Sequence, residues 1–119
     1  MGFVDLVYEQ DGRFGVLDYK SNALGAQDAD YTTAAMEAAM LEHRYDVQAA
    51  LYLLALHRLL RARLGAAYRP ALQLQGAVYL FLRGVGTASA GAYHLPAPLA
   101  LIDALDAMLP QATAVAGVA

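Results

Sequence analysis

The chain contains no cysteine, which removes disulfides, thiolate zinc sites and cysteine nucleophiles from consideration and suits a reducing compartment. Long apolar runs are missing too. The most extended are LYLLAL at 51–56 and AVYLFL at 77–82, against the roughly 20 residues that a membrane-spanning helix needs. No basic segment followed by an apolar stretch opens the sequence, so no signal peptide is visible and a soluble, cytoplasmic protein is expected. Positive charge is scarce: 8 Lys and Arg stand against 11 Asp and Glu, for a net charge of −3. Proteins that grip phosphates are usually basic, so composition alone argues against a nucleic-acid partner and motifs must overcome it. What is present is apolar. A hydrophobic fraction of 59% over 119 residues, without internal repeats, predicts one folded domain with a real core.

Alternation over FVDLVY at 3–8 and FGVLDYK at 14–20, on either side of Asp11-Gly12, predicts an antiparallel hairpin. SNALGAQDAD at 21–30 reads as a loop, with Asp28 or Asp30 available to cap the next helix. Residues 31–42, rich in Ala, Met and Glu, predict that helix. A longer one over Tyr45 to Leu64 ends at Gly65, with Arg58, Arg61 and Arg63 near its negative end. Its apolar residues form two stripes, Val47, Leu51, Leu54 and Leu53, Leu56, Leu60, Leu64, which predicts burial around most of the cylinder. LQGAVYLFLRG at 74–84 reads as a central strand and GVGTASAG at 84–91 as a flexible loop. Pro96 and Pro98 precede a final amphipathic helix at 99–109, stopped by Pro110, and residues 111–119 are expected to fray. The order β-β-α-α-β-α predicts an α/β fold, a mixed sheet flanked by helices.

The chemistry centres on DYK at 18–20. Strand side chains at i and i+2 share a face, so Asp18 and Lys20 project together, roughly 7 Å apart along the strand. Tyr19 points the other way and leaves its carbonyl near the same edge. A carboxylate supplies the hard oxygen that Mg²⁺ prefers, and the lysine can orient or deprotonate an attacking water. A hairpin centred on residues 11 and 12 pairs positions whose numbers sum to 23, which sets Asp5 opposite Asp18. Two carboxylates on an otherwise apolar face repel and lose solvation unless a cation sits between them. That argues for a divalent metal. An isolated Asp-x-Lys on an exposed strand is more often a solvated pair worth under about 1 kcal/mol; Asp5 is what lifts this one above that reading.

Taken together, GFVDLVY, GRFGVLDYKSN, YDVQAALYLLALHRLLR and GAVYLFLRGV resemble the RecB nuclease domain, within the restriction-endonuclease-like superfamily that carries an Asp…(Asp/Glu)-x-Lys signature. The resemblance is dense over residues 2–85. It implies a restriction-endonuclease-like core over residues 1–110, with an upstream helix and strand lying outside this sequence. By the same resemblance Asp5, Asp18 and the Tyr19 carbonyl are ligands of Mg²⁺, for which Mn²⁺ can substitute, and Lys20 is the catalytic lysine. Gln48 and Tyr52 match the family's Gln-x-x-x-Tyr motif. At i and i+4 they lie on one helix face and can reach one site, although without the family a core tyrosine with a glutamine partner is the simpler reading. The implied activity is cleavage of single-stranded DNA delivered by an attached, ATP-driven helicase during double-strand break repair in the bacterial cytoplasm. The implied partners are RecC- and RecD-like subunits and a RecA-like recombinase.

One departure stands out. The family places a metal-binding histidine upstream of the first strand, and His43, His57 and His94 do not match it. His43 and His57 are expected at the surface or partly buried, and His94 in a loop. Arg13, Arg44 and Arg83 are weak candidates for contacts with DNA. The rival function is a docking domain that keeps the fold without catalysis; the presence of Asp5, Asp18 and Lys20 together speaks against it. Activity on RNA is a third possibility that the sequence leaves open.

Overall fold

The computed structural model describes residues 6–21, 24, 28–87 and 89–110. Strands β1 (Leu6–Gln10) and β2 (Arg13–Lys20) form the expected hairpin. Asp11 and Gly12 both take positive φ, 54° and 78°, the signature of the tight turn whose twist matches the flanking strands. The Gly12 N–H donates to the Glu9 carboxylate at 2.8 Å. The ladder runs from Leu6 opposite Leu17 to Gln10 opposite Arg13, the register expected from the turn position. Asp5 itself lies outside the described residues.

Helix α1 (Thr33–Glu42) is capped by Thr32, whose hydroxyl accepts the Ala35 N–H at 3.2 Å. The cap is neither Asp28 nor Asp30, because Asp28–Tyr31 winds into a 3-10 turn just before it. Helix α2 (Tyr45–Leu64) keeps its expected bounds, entered through Arg44 in the left-handed region and left through Gly65 at φ 57°. A one-turn α3 (Pro70–Gln73) leads into β3 (Leu74–Phe81). Then come β4 (Ala92–Pro96) and α4 (Leu99–Met108).

The sheet order is β1-β2-β3-β4, with β2 and β3 parallel and the outer pairs antiparallel. A parallel neighbour requires a crossover, which α1 and α2 supply. The mixed α/β sheet is as predicted, and β3 is central. Strand β4 is an addition: the sequence predicts a loop at His94 and no strand directly before the last helix. Five residues, none of them fully buried and the last a proline, give a short and weak strand signal, and an edge strand tolerates a missing N–H.

Helix α2 packs across β2 and β3, and α4 packs on α2. Val16, Met36, Leu53, Leu54, Leu56, Tyr79, Phe81 and Ile102 are fully buried between these layers. Each buried leucine contributes roughly 1.5–3 kcal/mol. The expected all-round burial of α2 holds over its middle, where every residue from Tyr52 to Arg58 is buried, Leu54 of the first stripe included. In its first two turns Val47 and Leu51 stay 46% and 47% exposed, beside Leu101 and Leu105 of α4. Arg58 differs too. It does not serve α2's own negative end but is buried, donating to the Asp106 carboxylate at 2.7 Å and to the carbonyls of Asp106, Leu109 and Pro110. It therefore satisfies the last carbonyls of α4, the groups a helix end leaves without partners.

Candidate active site

The site gathers where β2 and β3 end side by side. In the parallel register Asp18 neighbours Tyr79 and Lys20 neighbours Phe81, so these side chains share the face that α2 covers. The i, i+2 expectation for DYK is met: Lys20 Nζ lies 3.0 Å from Asp18 Oδ2. Asp18 is only 4% exposed. A carboxylate that deep would cost several kcal/mol without a cation beside it.

From α2, Gln48 reaches into this pair. Its Oε1 accepts from Lys20 Nζ at 3.3 Å and from the Tyr79 hydroxyl at 2.9 Å. An ammonium can only donate, so the Gln48 atom facing it is the oxygen, and the amide N–H₂ is left as a donor. The Tyr79 hydroxyl also lies 3.2 Å from the Tyr45 carbonyl. Burial first, then the Asp18 charge, pushes that hydroxyl far above the ordinary phenol range, so Tyr79 stays a donor. Tyr52, one turn after Gln48, is buried in the core next to Tyr79. Lys20 Nζ sits 4.1 Å from the centroid of the Tyr45 ring, a cation–π contact, and Tyr45 stacks on Tyr79 at 5.5 Å.

Sequence reasoning missed Tyr45 and Tyr79. Tyr45 had a faint signal, three residues before Gln48 on the same helix face. Tyr79 had none, because its meeting with Asp18 depends on a parallel register between strands about 60 residues apart.

The other candidates fall into place around this centre. The Tyr19 side chain is half exposed on the opposite face of β2. Arg83 Nε donates to the Ser21 carbonyl at 3.0 Å, at the end of β2 where the site lies. Arg44 is tied to Asp46 at 3.3 Å. Arg13 begins β2 and Lys20 ends it, which separates them by roughly 23 Å at about 3.3 Å per residue and removes Arg13 from the site. His94 lies in β4, not in a loop. His57 is buried instead of superficial, its Nδ1 2.9 Å from the Tyr68 hydroxyl. Burial and the neighbouring Arg61 charge lower its pKa, and burial raises that of Tyr68 to about 12.

Among the described residues no three of His, Asp or Glu converge on one point. Mg²⁺ nevertheless keeps several waters and commonly takes one or two carboxylates. The buried Asp18, neutralised by a lysine, fits that modest demand as one carboxylate ligand.

The profile of the PD-(D/E)XK nuclease superfamily matches residues 1–115. The RecBCD enzyme subunit RecB of Escherichia coli K12 is 56% identical over 84 residues, covering 71% of this chain and 7% of that protein. The same subunit from Haemophilus influenzae is 41% identical over 106 residues, covering 88% of the chain and 9% of the relative. That of Mycobacterium tuberculosis is 42% identical over 119 residues, 92% of the chain and 11% of the relative. The chain thus spans about a tenth of the length of these relatives.

Proposed function

We propose, starting from the fact that the chain belongs to the PD-(D/E)XK nuclease superfamily, that it is the phosphodiester-hydrolysing core of a RecB-type enzyme and cuts single-stranded DNA with Mg²⁺ or Mn²⁺. The supporting observation is the buried Asp18–Lys20 pair joined by Gln48 from a different element. Two groups from one strand and a third from a helix 28 residues on meet at the sheet end, each of a type that phosphate hydrolysis uses. Asp5, Asp18 and the Tyr19 carbonyl are the proposed metal ligands. When bound, the ion supplies Lewis-acid stabilisation of charge on the phosphate and a more acidic water.

The chain's own groups do the rest. Lys20 holds the attacking water in line and adds positive charge where the phosphate becomes more negative. Gln48 keeps its carbonyl on Lys20 and turns its N–H₂ toward a phosphate oxygen. Tyr52 supports that arrangement from the core side. In the whole enzyme, the strand would come from a helicase, with RecC- and RecD-like subunits and a RecA-like recombinase as partners in cytoplasmic break repair. A docking role would make use of the half-exposed Val47 and Leu51, but it gives no reason to bury Asp18 against Lys20.

The test is cleavage of an end-labelled single-stranded oligonucleotide in Mg²⁺ by the chain and by its Asp18→Asn and Lys20→Ala variants. Both variants should lose cleavage. Cleavage retained in either one refutes the assigned site.

A further inference from the structure

Three rings form a column that starts in the core and ends in solvent. Tyr79 is fully buried at its base. Tyr45 stacks on it at 5.5 Å and 17°, and His43 stacks on Tyr45 at 5.2 Å and 16°. The column is held from below: the Tyr79 hydroxyl is bound to Gln48 and to the Tyr45 carbonyl. It is also in register with the catalytic lysine, whose Nζ lies 4.1 Å from the Tyr45 ring.

The top of the column is open. The His43 side chain is 44% exposed, while its one ring contact among the described residues is Tyr45 on the inner face. A ring covered on one face and that exposed overall presents its other face to water.

The backbone takes an unfavourable conformation to achieve this. Arg44, between the two upper rings, adopts φ 56°, ψ 37°, a left-handed conformation that a residue with a side chain resists. The His43 N–H donates to the Ala39 carbonyl and that of Arg44 to the Leu41 carbonyl, closing α1 and turning the chain back so that residues 43 and 45 face each other. Strain of this kind persists where the surroundings enforce it, and it clusters at functional sites.

We infer that the outer face of His43 is a subsite for a nucleobase of the single-stranded substrate, the fourth ring of the column. The inference rests on the nuclease reading and adds how the strand is recognised. Every base has a π face, so stacking grips single strands with little sequence preference, whereas a duplex keeps its bases occupied with each other. A grip of this kind also suits an acidic chain, because it adds affinity without added positive charge. Tyr45 touches both His43 and Lys20, so the stacked base belongs to a nucleotide near the linkage being cut.

The experiment measures binding of a fluorescein-labelled single strand of about 12 nucleotides to this chain by anisotropy, without divalent metal so that nothing is cut. A strand of the same length built from abasic residues serves as the control. Loss of one base–aromatic stack weakens binding about 5- to 150-fold, and an exposed ring belongs at the lower end. His43→Ala should therefore weaken the base-bearing strand about 5- to 10-fold and leave the abasic strand unchanged. His43→Phe should restore binding, because it keeps a ring and discards the imidazole nitrogens. His43 is at the surface, so both variants should melt like the wild type. Equal binding of the base-bearing strand by wild type and His43→Ala overturns the subsite, and so does a His43→Phe variant as weak as His43→Ala. A chain that cleaves in Mg²⁺ but shows either result loses the subsite and keeps the nuclease reading. A chain that neither binds nor cleaves the strand refutes both.

Discussion

Replacing Tyr79 by Phe removes one oxygen atom from the fully buried end of β3 and tests how the site is held. That hydroxyl reaches two acceptors, Gln48 Oε1 at 2.9 Å and the Tyr45 carbonyl at 3.2 Å. Neither acceptor is stranded by its loss. Gln48 Oε1 still receives Lys20, and Tyr45 stands at the start of a helix where its carbonyl has a backbone donor. The expected stability loss is therefore that of one net hydrogen bond, about 1 kcal/mol, and not the larger cost of an orphaned polar group. For a domain of this size that corresponds to roughly 4 °C in Tm. Activity should suffer more than stability. With Tyr79 gone, only Lys20 fixes the Gln48 amide, and slack of about 1 Å in a reacting group can cost on the order of 100-fold. Half of the constraint remains, so we expect about a 10-fold lower single-turnover rate on single-stranded DNA in Mg²⁺. A double-mutant cycle locates the effect. If Tyr79 acts through Gln48, Tyr79→Phe added to Gln48→Ala should cost nothing further, a coupling of about 1.4 kcal/mol in the rate. A Tyr79→Phe enzyme that cleaves at the wild-type rate, or penalties that multiply in the double variant, would refute the reasoning.

Other perturbations probe the site and its frame. Mg²⁺ at about 100 times its dissociation constant should stabilise the chain by roughly 2.7 kcal/mol, seen as a higher Tm; Asp18→Asn should abolish the shift and Lys20→Ala should preserve it. Arg58→Ala leaves the carbonyls of Asp106, Leu109 and Pro110 without their buried donor, while Arg61 still holds the Asp106 carboxylate, and should cost about 1–3 kcal/mol in denaturant unfolding. Hydrogen bonds from Arg61 and Arg58 hold the Asp106 carboxyl well below the ordinary carboxylate range. Its contribution is therefore present above the unfolded pKa of about 4 and is lost as pH falls below that value. Asp106→Asn should flatten this acid limb; an unchanged slope between about pH 4 and pH 2 would count against it. Gly15→Ala should destabilise by about 1–3 kcal/mol, because the new methyl would meet the Tyr8 ring end at 2.5 Å and the Gly76 carbonyl at 2.7 Å, and only the first can move aside; a Tm within error of wild type would show that the sheet yields.

Local rules were enough for much of this protein. Asp11-Gly12 determined the hairpin and its register, since a two-residue turn with positive φ at both positions leaves one pairing. The period of two along β2 determined that Asp18 and Lys20 meet. The leucine pattern and Gly65 determined the bounds of α2. Each of these depends on residues within about five positions of one another, the range over which backbone geometry dictates neighbours. The two apolar stripes foretold the all-round burial of α2 over Tyr52 to Arg58 and overstated it at Val47 and Leu51, because a stripe says how much surface a helix could bury and not where other elements cover it.

What lay beyond that range was decided by the tertiary structure. The parallel register of β2 and β3 brings Tyr79 to Asp18 and Gln48, the turn at Arg44 stacks His43 on Tyr45, and the packing of α2 on α4 carries Arg58 to the end of another helix. No periodicity encodes such meetings, since they join segments whose separation in sequence sets no distance in space. Asp-x-Lys was written in the chain by itself; the glutamine, the tyrosines and the burial that give it a working environment came together only when α2 closed over the sheet.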